Sequence, residues 1–345
     1  MAIDDRKQRV LQAVVTLYGL DGEPVGSGLL CRHFDMAVSS ATLRNEMAAL
    51  TKLGLLEQPH TSAGRVPSAK GYRYYLDHLP PVGPGALPAA QRRAIDGAFA
   101  GMDFEPDKLA QGAARALSEW AGYTVVATTP GARDLCIAHF EVVQVGQCSA
   151  AVLAVTGAGG VRTRVARVNT GLSRADAQQL ADVLNRGLTF VSPPDLTGEL
   201  LGRLAAQLGP RGRALYPVLA AAAALLEESA KPRVYIEGQQ QLLRWPELAG
   251  CLSGVLELFG DDEAAREAST PPTQRMSVLL GEDLERPLPG LCVMRKRYLA
   301  GGGLMGGLAL VGPTRMPFTR LMPGLEYFAL KLGQYMSGNL QEDAP

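Results

Sequence analysis

Residues 39–53, SSATLRNEMAALTKL, have a two-sided pattern. At 100° per residue Leu43, Met47, Leu50 and Leu53 gather on one side of a helix, and Ala41, Arg44, Asn45, Ala48 and Lys52 project from the other. That outer face suits a DNA groove: Asn45 could pair bidentately with adenine, Arg44 could reach guanine or a phosphate, and Ala41 and Ala48 are small enough to let the helix sit deep. Ser39 is the expected N-cap. The first turn, Ser40, Ala41 and Thr42, carries no acid, so its free N–H groups and the positive end of the helix dipole favour a phosphate. Gly54 closes the helix just past Leu53, with Lys52 in the last turn. Taken alone, Arg44 and Asn45 are better explained as a solvated helix face. Their place on the third helix of a helix-turn-helix order is what favours DNA.

That order is legible in the preceding residues. Asp4 can cap a helix with Val10, Val14 and Leu17 on one face, ending near Gly19, and a short second helix is expected from Ser27 to Phe34. After the third helix, Leu55 to Pro59 and Arg65 to Pro67 read as two short strands joined by the polar loop His60-Thr61-Ser62-Ala63-Gly64, with Arg65 where such a ribbon meets a phosphate backbone. From Ser39 to Leu76 five basic residues, Arg44, Lys52, Arg65, Lys70 and Arg73, outnumber two acidic ones, Glu46 and Glu57. Tyr72, Tyr74 and Tyr75 surround Arg73, at a spacing that favours packing a short helix against the ribbon over stacking on bases.

Other motifs carry less. Gly301-Gly302-Gly303-Leu304-Met305-Gly306 fits GxGxxG, but the residues after it read as a strand and not the helix that would hold a pyrophosphate. Gly157-Ala158-Gly159-Gly160 lacks the Lys-Ser/Thr of a P-loop and reads as a turn. The five cysteines show no CxxC pair, the four histidines show no zinc spacing, and no nucleophile is grouped with a base, so neither an enzyme nor a metal or cofactor site is expected.

The chain has 345 residues, enough for two or three domains, and its 47% hydrophobic and 20% charged content excludes collagen, coiled coil and disordered tail. Lys plus Arg and Asp plus Glu both total 34, so the positive patch at 39–76 is local. The acidic start, Met1-Ala2-Ile3-Asp4-Asp5, lacks a signal peptide's basic region, and the oily run from Leu215 to Leu226 is short of the roughly 20 residues that cross a bilayer. A cytoplasmic protein with no membrane partner is expected.

Pro80 to Pro88, with four prolines and two glycines, reads as a linker. Beyond it, helices are expected at 89–101 and 107–120, strands at 123–128, 136–145, 150–155 and 161–168, and helices at 174–188, 196–208 and 213–230, the first with a Ser173/Asp176 capping box. A strand at 233–237, a helix at 247–259, an exposed loop at 261–274, strands at 276–280, 291–298 and 304–311, and a helix at 325–336 complete an α+β pattern interrupted by an insertion.

Val38 to Asp77, VSSATLRNEMAALTKLGLLEQPHTSAGRVPSAKGYRYYLD, resembles the winged-helix region of HrcA, the heat-inducible transcription repressors of bacteria. Val311-Gly312-Pro313-Thr314-Arg315-Met316 is similar to the family's C-terminal GPTRM segment, and Val234-Tyr235-Ile236-Glu237-Gly238 to its central strand. The resemblance implies an α+β protein with an N-terminal winged helix-turn-helix (1–79), a linker (80–88), a GAF-like α+β domain (89–130 and 232–345) and an inserted α/β dimerisation domain (131–231). It further implies a homodimer that binds double-stranded DNA at an inverted repeat, CIRCE, upstream of chaperonin and other heat-shock operons. Carried over by position, the reading helix supplies Ser39, Ser40, Ala41, Thr42, Arg44, Asn45 and Lys52, and the wing His60, Thr61, Ser62 and Arg65. Lys70 and Arg73 become phosphate contacts. Gly28-Leu29-Leu30-Cys31 departs from the more polar family pattern, so no backbone contact is carried over to the second helix.

The apolar helices from Arg174 to Ala230 are the expected dimer surface. In the family, chaperonin assists the repressor into its active form, so unfolded protein that occupies chaperonin during heat shock would leave the repressor inactive. Nothing in the residues marks a ligand pocket, and Gly312 to Met316 reads as structural. The reading from another class is a small-molecule sensor, in which the α+β portion binds a metabolite and the winged helix is its output.

Overall fold

The computed structural model describes residues 3–60, 63–80, 83–131, 136–157, 160–229, 231–301 and 304–338. The chain opens with α1 (Asp5–Asp21), α2 (Ser27–His33) and α3 (Ser40–Lys52), then an antiparallel ribbon of β1 (Leu56–Glu57) and β2 (Val66–Pro67), then α4 (Ala69–Asp77). Asp4 caps α1 by accepting from the Lys7 N–H at 2.8 Å, and Ser39 caps α3 through the Thr42 N–H at 3.2 Å. α1 runs past Gly19 and closes at Gly22, whose φ of 74° is the left-handed conformation of a helix C-cap.

Next come α5 (Ala89–Ala100), α6 (Pro106–Ala121) and β3 (Thr124–Thr128). An excursion follows: β4 (Ile137–Gly146), β5 (Ser149–Thr156), β6 (Val161–Arg167), α7 (Arg174–Gly187), α8 (Gly198–Gln207) and α9 (Gly212–Ser229). The chain returns through β7 (Val234–Glu237), α10 (Leu252–Gly260), α11 (Asp262–Ser269), β8 (Ser277–Leu280), β9 (Leu291–Leu299), β10 (Met305–Pro313) and α12 (Phe318–Met336). The fold is α+β, and every strand pairing among the described residues is antiparallel.

Five strands form the larger sheet, in the order β7-β3-β10-β9-β8. Its strands are apolar on both faces and divide with the period of two. Val125 and Ala127, Cys292 and Met294, and Leu308 and Leu310 share a core with Leu117 of α6, Leu325 and Phe328 of α12, and the N-terminal helices. Val126, Leu291, Val293, Ala309 and Val311 share another with Leu248, Val255 and Phe259.

The excursion leaves and re-enters at one place. Val125 pairs with Glu237 across β3 and β7, the Thr129 N–H donates to the Arg233 carbonyl at 2.9 Å, and the Arg233 N–H donates back to Thr129 Oγ1 at 2.8 Å. Between those points, residues from Ile137 to Leu226 bury a core of their own. The Ser173/Asp176 capping box forms as expected. Helices α7 to α9 bury their apolar faces, including Leu180, Leu184, Val218 and Leu225, in that core. Among the exposed apolar residues of the excursion, Val143, Val145, Val161 and Val165 lie on the outer face of the three-stranded β4-β5-β6 sheet.

Three other expectations change. The 261–274 loop contains α11: Asp261 caps it by accepting from the Glu263 and Ala264 N–H groups, and Ala265 and Ala268 are buried, so the acidic residues mark a helix start. The helix expected from 247 begins at Leu252, after 3₁₀ turns at Gln239–Arg244 and Pro246–Leu248. The last helix starts at Phe318 and runs through Pro323, seven residues before its expected start at Leu325, because Phe318 and Leu321 are buried in the shared core. The run at 301–306 joins the antiparallel strands β9 and β10, with Gly302 and Gly303 outside the described residues. The turn at 157–160 joins β5 and β6, with Ala158 and Gly159 outside them.

The N-terminal unit is packed onto the larger sheet. Tyr72 and Tyr75 meet Phe318 at 6.4 and 6.2 Å between ring centroids. The GPTRM segment borders this joint, where a Cβ on Gly19 of α1 would lie 3.2 Å from the Arg315 carbonyl oxygen. Arg315 lies over the Trp245 ring at 4.8 Å and pairs with Glu247, while the N–H and the hydroxyl of Thr314 both donate to the Gly290 carbonyl at 2.9 Å.

Candidate nucleic-acid interface

α3 is held from three sides, and each restraint leaves its outer face free. Leu43, Met47 and Leu50 are buried against α1 and α2. Ser40 Oγ donates to Ser27 Oγ at 2.9 Å, tying the first turns of α3 and α2 together. Between those helices the chain turns through Asp35 and Met36, both with positive φ (49° and 61°), a conformation unusual outside glycine. At its far end, the Arg65 side chain of the ribbon donates through Nε to Thr51 Oγ1 at 3.0 Å.

Ala41, Arg44, Asn45 and Lys52 are exposed, and Ala48 is half-buried between them. Among the described residues Arg44, Asn45 and Lys52 have no side-chain partner. Glu46, the one acid of this helix, is drawn aside: its carboxylate lies 3.4 Å from Lys7 Nζ and 3.9 Å from Arg6, both on α1, and is largely buried. Hydrogen bonding to Asp4, with Glu46 adding its charge, raises the Lys7 ammonium above its ordinary value, so it stays charged. The exposed side of α3 therefore presents cationic and amide groups over a first turn with unsatisfied N–H donors. Ser39 and Thr42 are engaged with each other there, their hydroxyls 2.9 Å apart.

The ribbon is wider than the sequence indicates. Val25, between α1 and α2, pairs with Arg65 through two backbone hydrogen bonds of 2.9 Å, adding a third chain segment. Nothing in the sequence signals this, since a single bridge residue has no periodicity. It does explain Gly64, where a Cβ would overlap the Val25 carbonyl. His60 is exposed at the ribbon's tip, and Thr61 and Ser62 lie outside the described residues.

Two of the expected phosphate contacts have partners within the chain. Lys70 Nζ donates to the Leu53 carbonyl at 2.9 Å, satisfying the end of α3. Arg73 pairs with Asp283 and reaches the Val278 carbonyl at 3.4 Å, so its guanidinium is engaged with the larger sheet domain. Both partners lie at a distance in sequence. Tyr72 and Tyr75 are buried, with burial pushing both hydroxyls up in pKa, and Tyr74 stacks on His78 at 3.9 Å, so the tyrosines pack as expected.

All five cysteines are free, and among the described residues no cluster of His, Cys, Asp and Glu could hold a metal and no helix is long and apolar enough to cross a membrane.

Comparison with known proteins identifies the family. Residues 107–322 match the family model described as "HrcA protein C terminal domain". The heat-inducible transcription repressor HrcA of Moorella thermoacetica is 34% identical over 341 residues, covering 97% of this chain and 98% of that protein. The same-named repressor of Symbiobacterium thermophilum is 33% identical over 337 residues, covering 96% and 98%. A crystal structure of a hypothetical protein, 23% identical, superposes with a TM-score of 0.65 over 98% of this chain and all of that one, a likeness of fold. With relatives matched from end to end and a family model matched across both the larger sheet and the excursion, the chain belongs to the HrcA family.

Proposed function

We propose that this protein is a sequence-specific, DNA-binding transcription repressor of heat-shock operons, acting as a homodimer on an inverted-repeat operator of the CIRCE type. The observation that carries the reading is the outer face of α3, where Arg44, Asn45 and Lys52 stand free while Glu46 is turned back onto Lys7 and Arg6. In this reading residues 1–79 are a winged helix-turn-helix, with α3 as recognition helix and the ribbon as wing. Residues 80–88 are the linker, 89–130 and 232–345 a GAF-like domain, and 131–231 the inserted dimerisation domain. The names of the relatives support repression and its heat dependence.

Phosphate contacts supply most of the affinity, and the two recognition helices supply the choice of sequence. Ser39, Ser40, Ala41 and Thr42 approach the backbone at the helix N-terminus, Arg44 and Asn45 read bases, and Lys52, His60, Thr61, Ser62 and Arg65 contact phosphates. Lys70 and Arg73 serve the fold instead, given their bonds to Leu53 and Asp283. The outer face of the β4-β5-β6 sheet, with its exposed valines, is the surface we assign to the second copy. In the cytoplasm, chaperonin would assist folding to the binding-competent dimer, and its titration by unfolded protein on heating would relieve repression.

The test is binding of the full chain, refolded with and without chaperonin, to an inverted-repeat duplex and a scrambled duplex of equal length across a salt series. Selective binding as a dimer, weakening steeply with salt, is expected. Equal or absent binding by folded protein would overturn the reading, and occupancy indifferent to chaperonin would remove the regulatory part.

A further inference from the structure

The larger sheet has a cavity of about 490 Å³ on its α10/α11 side, at the β8 edge, within the volume range of small-molecule sites. It lies between α10, α11 and the loop from Gly281 to Gly290. Its walls are apolar, with Leu258, Leu279, Leu284 and Leu288 prominent among them. The loop is a closed ring at its base: the Leu288 N–H donates to the Gly281 carbonyl at 3.0 Å, and a Cβ on Gly281 would overlap the Leu288 carbonyl.

The rim is strongly one-sided in charge. Glu257, Asp261, Glu267, Asp283 and Glu285 line it against Arg286 and Arg295. Arg286 is taken up by Glu257, and Arg295 is directed to backbone, with Nη1 donating to the Glu267 and Ala268 carbonyls at 2.8 and 3.3 Å and Nε to Ser277 Oγ at 3.0 Å. Glu267 and Glu285 are exposed and have no side-chain partner among the described residues. An apolar pocket with unneutralised carboxylates at its mouth complements a molecule with an apolar body and a positive end.

One lining residue is also tied to the N-terminal unit, its Oδ2 accepting in addition from the Leu280 N–H at 2.8 Å. Asp283 lines the cavity, and it also holds Arg73 of α4. A cation drawn to Asp283 competes with Arg73 for the same oxygens, and so acts on the joint that seats the N-terminal unit.

We propose that this cavity binds an organic cation with an apolar body, and that Asp283 transmits its occupancy to the N-terminal unit by exchanging Arg73 for the ligand. The binding half stands on the cavity alone, and the transmission half rests on the DNA-binding reading above.

The test uses full-length protein and three probes of one skeleton: 4-phenylbutylamine, 4-phenylbutanol and 4-phenylbutyrate. By calorimetry the amine should bind saturably, at least tenfold tighter than the alcohol, and the carboxylate should not bind. The exposed double variant Glu267→Gln/Glu285→Gln should keep the fold and weaken the amine about tenfold, and Ala264→Phe should block the cavity. No saturable binding, equal binding of amine and alcohol, or binding untouched by the double variant would overturn the site. If Ala264→Phe fails to fold, the double variant still decides. For transmission, operator affinity of the wild type should change at least threefold with saturating amine, and the change should vanish in Arg73→Gln. An unchanged affinity overturns transmission. A folded wild type that binds no operator overturns the DNA reading instead, with the calorimetry still deciding the cavity.

Discussion

The ring of Tyr72, in α4, meets the ring of Phe318, in the first turn of α12, edge to face, with centroids 6.4 Å apart and planes at 61°. Through this pair, and Tyr75 beside it, the core of the N-terminal unit runs without a break into that of the larger sheet. The Tyr72 hydroxyl is buried there without a hydrogen-bond partner among the described residues, and burial raises its pKa. Truncating Phe318 to alanine should therefore cost about 3–5 kcal/mol, by loss of buried contact and creation of a cavity. Urea denaturation measures this, and limited proteolysis should find the N-terminal unit loosened before the 137–226 core.

Arg44 and Asn45 are exposed and without partners among the described residues, so alanine at either position should leave thermal stability nearly unchanged. Operator binding should weaken by about 1–3 kcal/mol with relaxed sequence preference if each reads a base. A uniform loss on every duplex would mark the residue as a phosphate contact.

Arg73 and Lys52 should separate in a salt titration. Lys52→Gln should lower the slope of log affinity against log salt by about 1, as expected for one lost phosphate contact. Arg73→Gln should leave the slope unaltered, because its guanidinium already pairs with Asp283.

Gly64→Ala should destabilise the N-terminal unit by about 1–3 kcal/mol, since the added methyl overlaps the Val25 carbonyl and strains the Val25–Arg65 pairing. Amide exchange at Val25 and Arg65, whose N–H groups bond across that bridge, should accelerate first.

Asp176 gives an acid-dependent contribution. Burial alone would raise its pKa, but hydrogen bonds from the Ser173 hydroxyl and N–H, together with Arg211, lower it below the ordinary 3.8. A carboxyl lowered on folding stabilises the protein above its unfolded value and loses that contribution as pH falls through the folded one. Asp176→Asn should thus cost roughly 1 kcal/mol near neutral pH and become nearly neutral in strong acid, read from urea midpoints at the two conditions.

The amino-acid sequence by itself determined what neighbours along the chain decide. Ser39 before Thr42, Ser173 before Asp176 and the 3.6-residue spacing of Leu43, Met47 and Leu50 specify caps and faces within one or two helical turns, so α3, its exposed residues and the capping box were legible. Partners distant in sequence were not. Lys70 on the Leu53 carbonyl, Arg73 on Asp283 and Arg315 over Trp245 depend on which surfaces the packed core brings together. The start of α12 at Phe318 belongs with them, because that ring is buried against Tyr72 and Tyr75, ahead of a Pro323 inside the helix. A charge pattern reports which side chains are cationic, and only the tertiary structure decides which of those cations remain free for a nucleic acid.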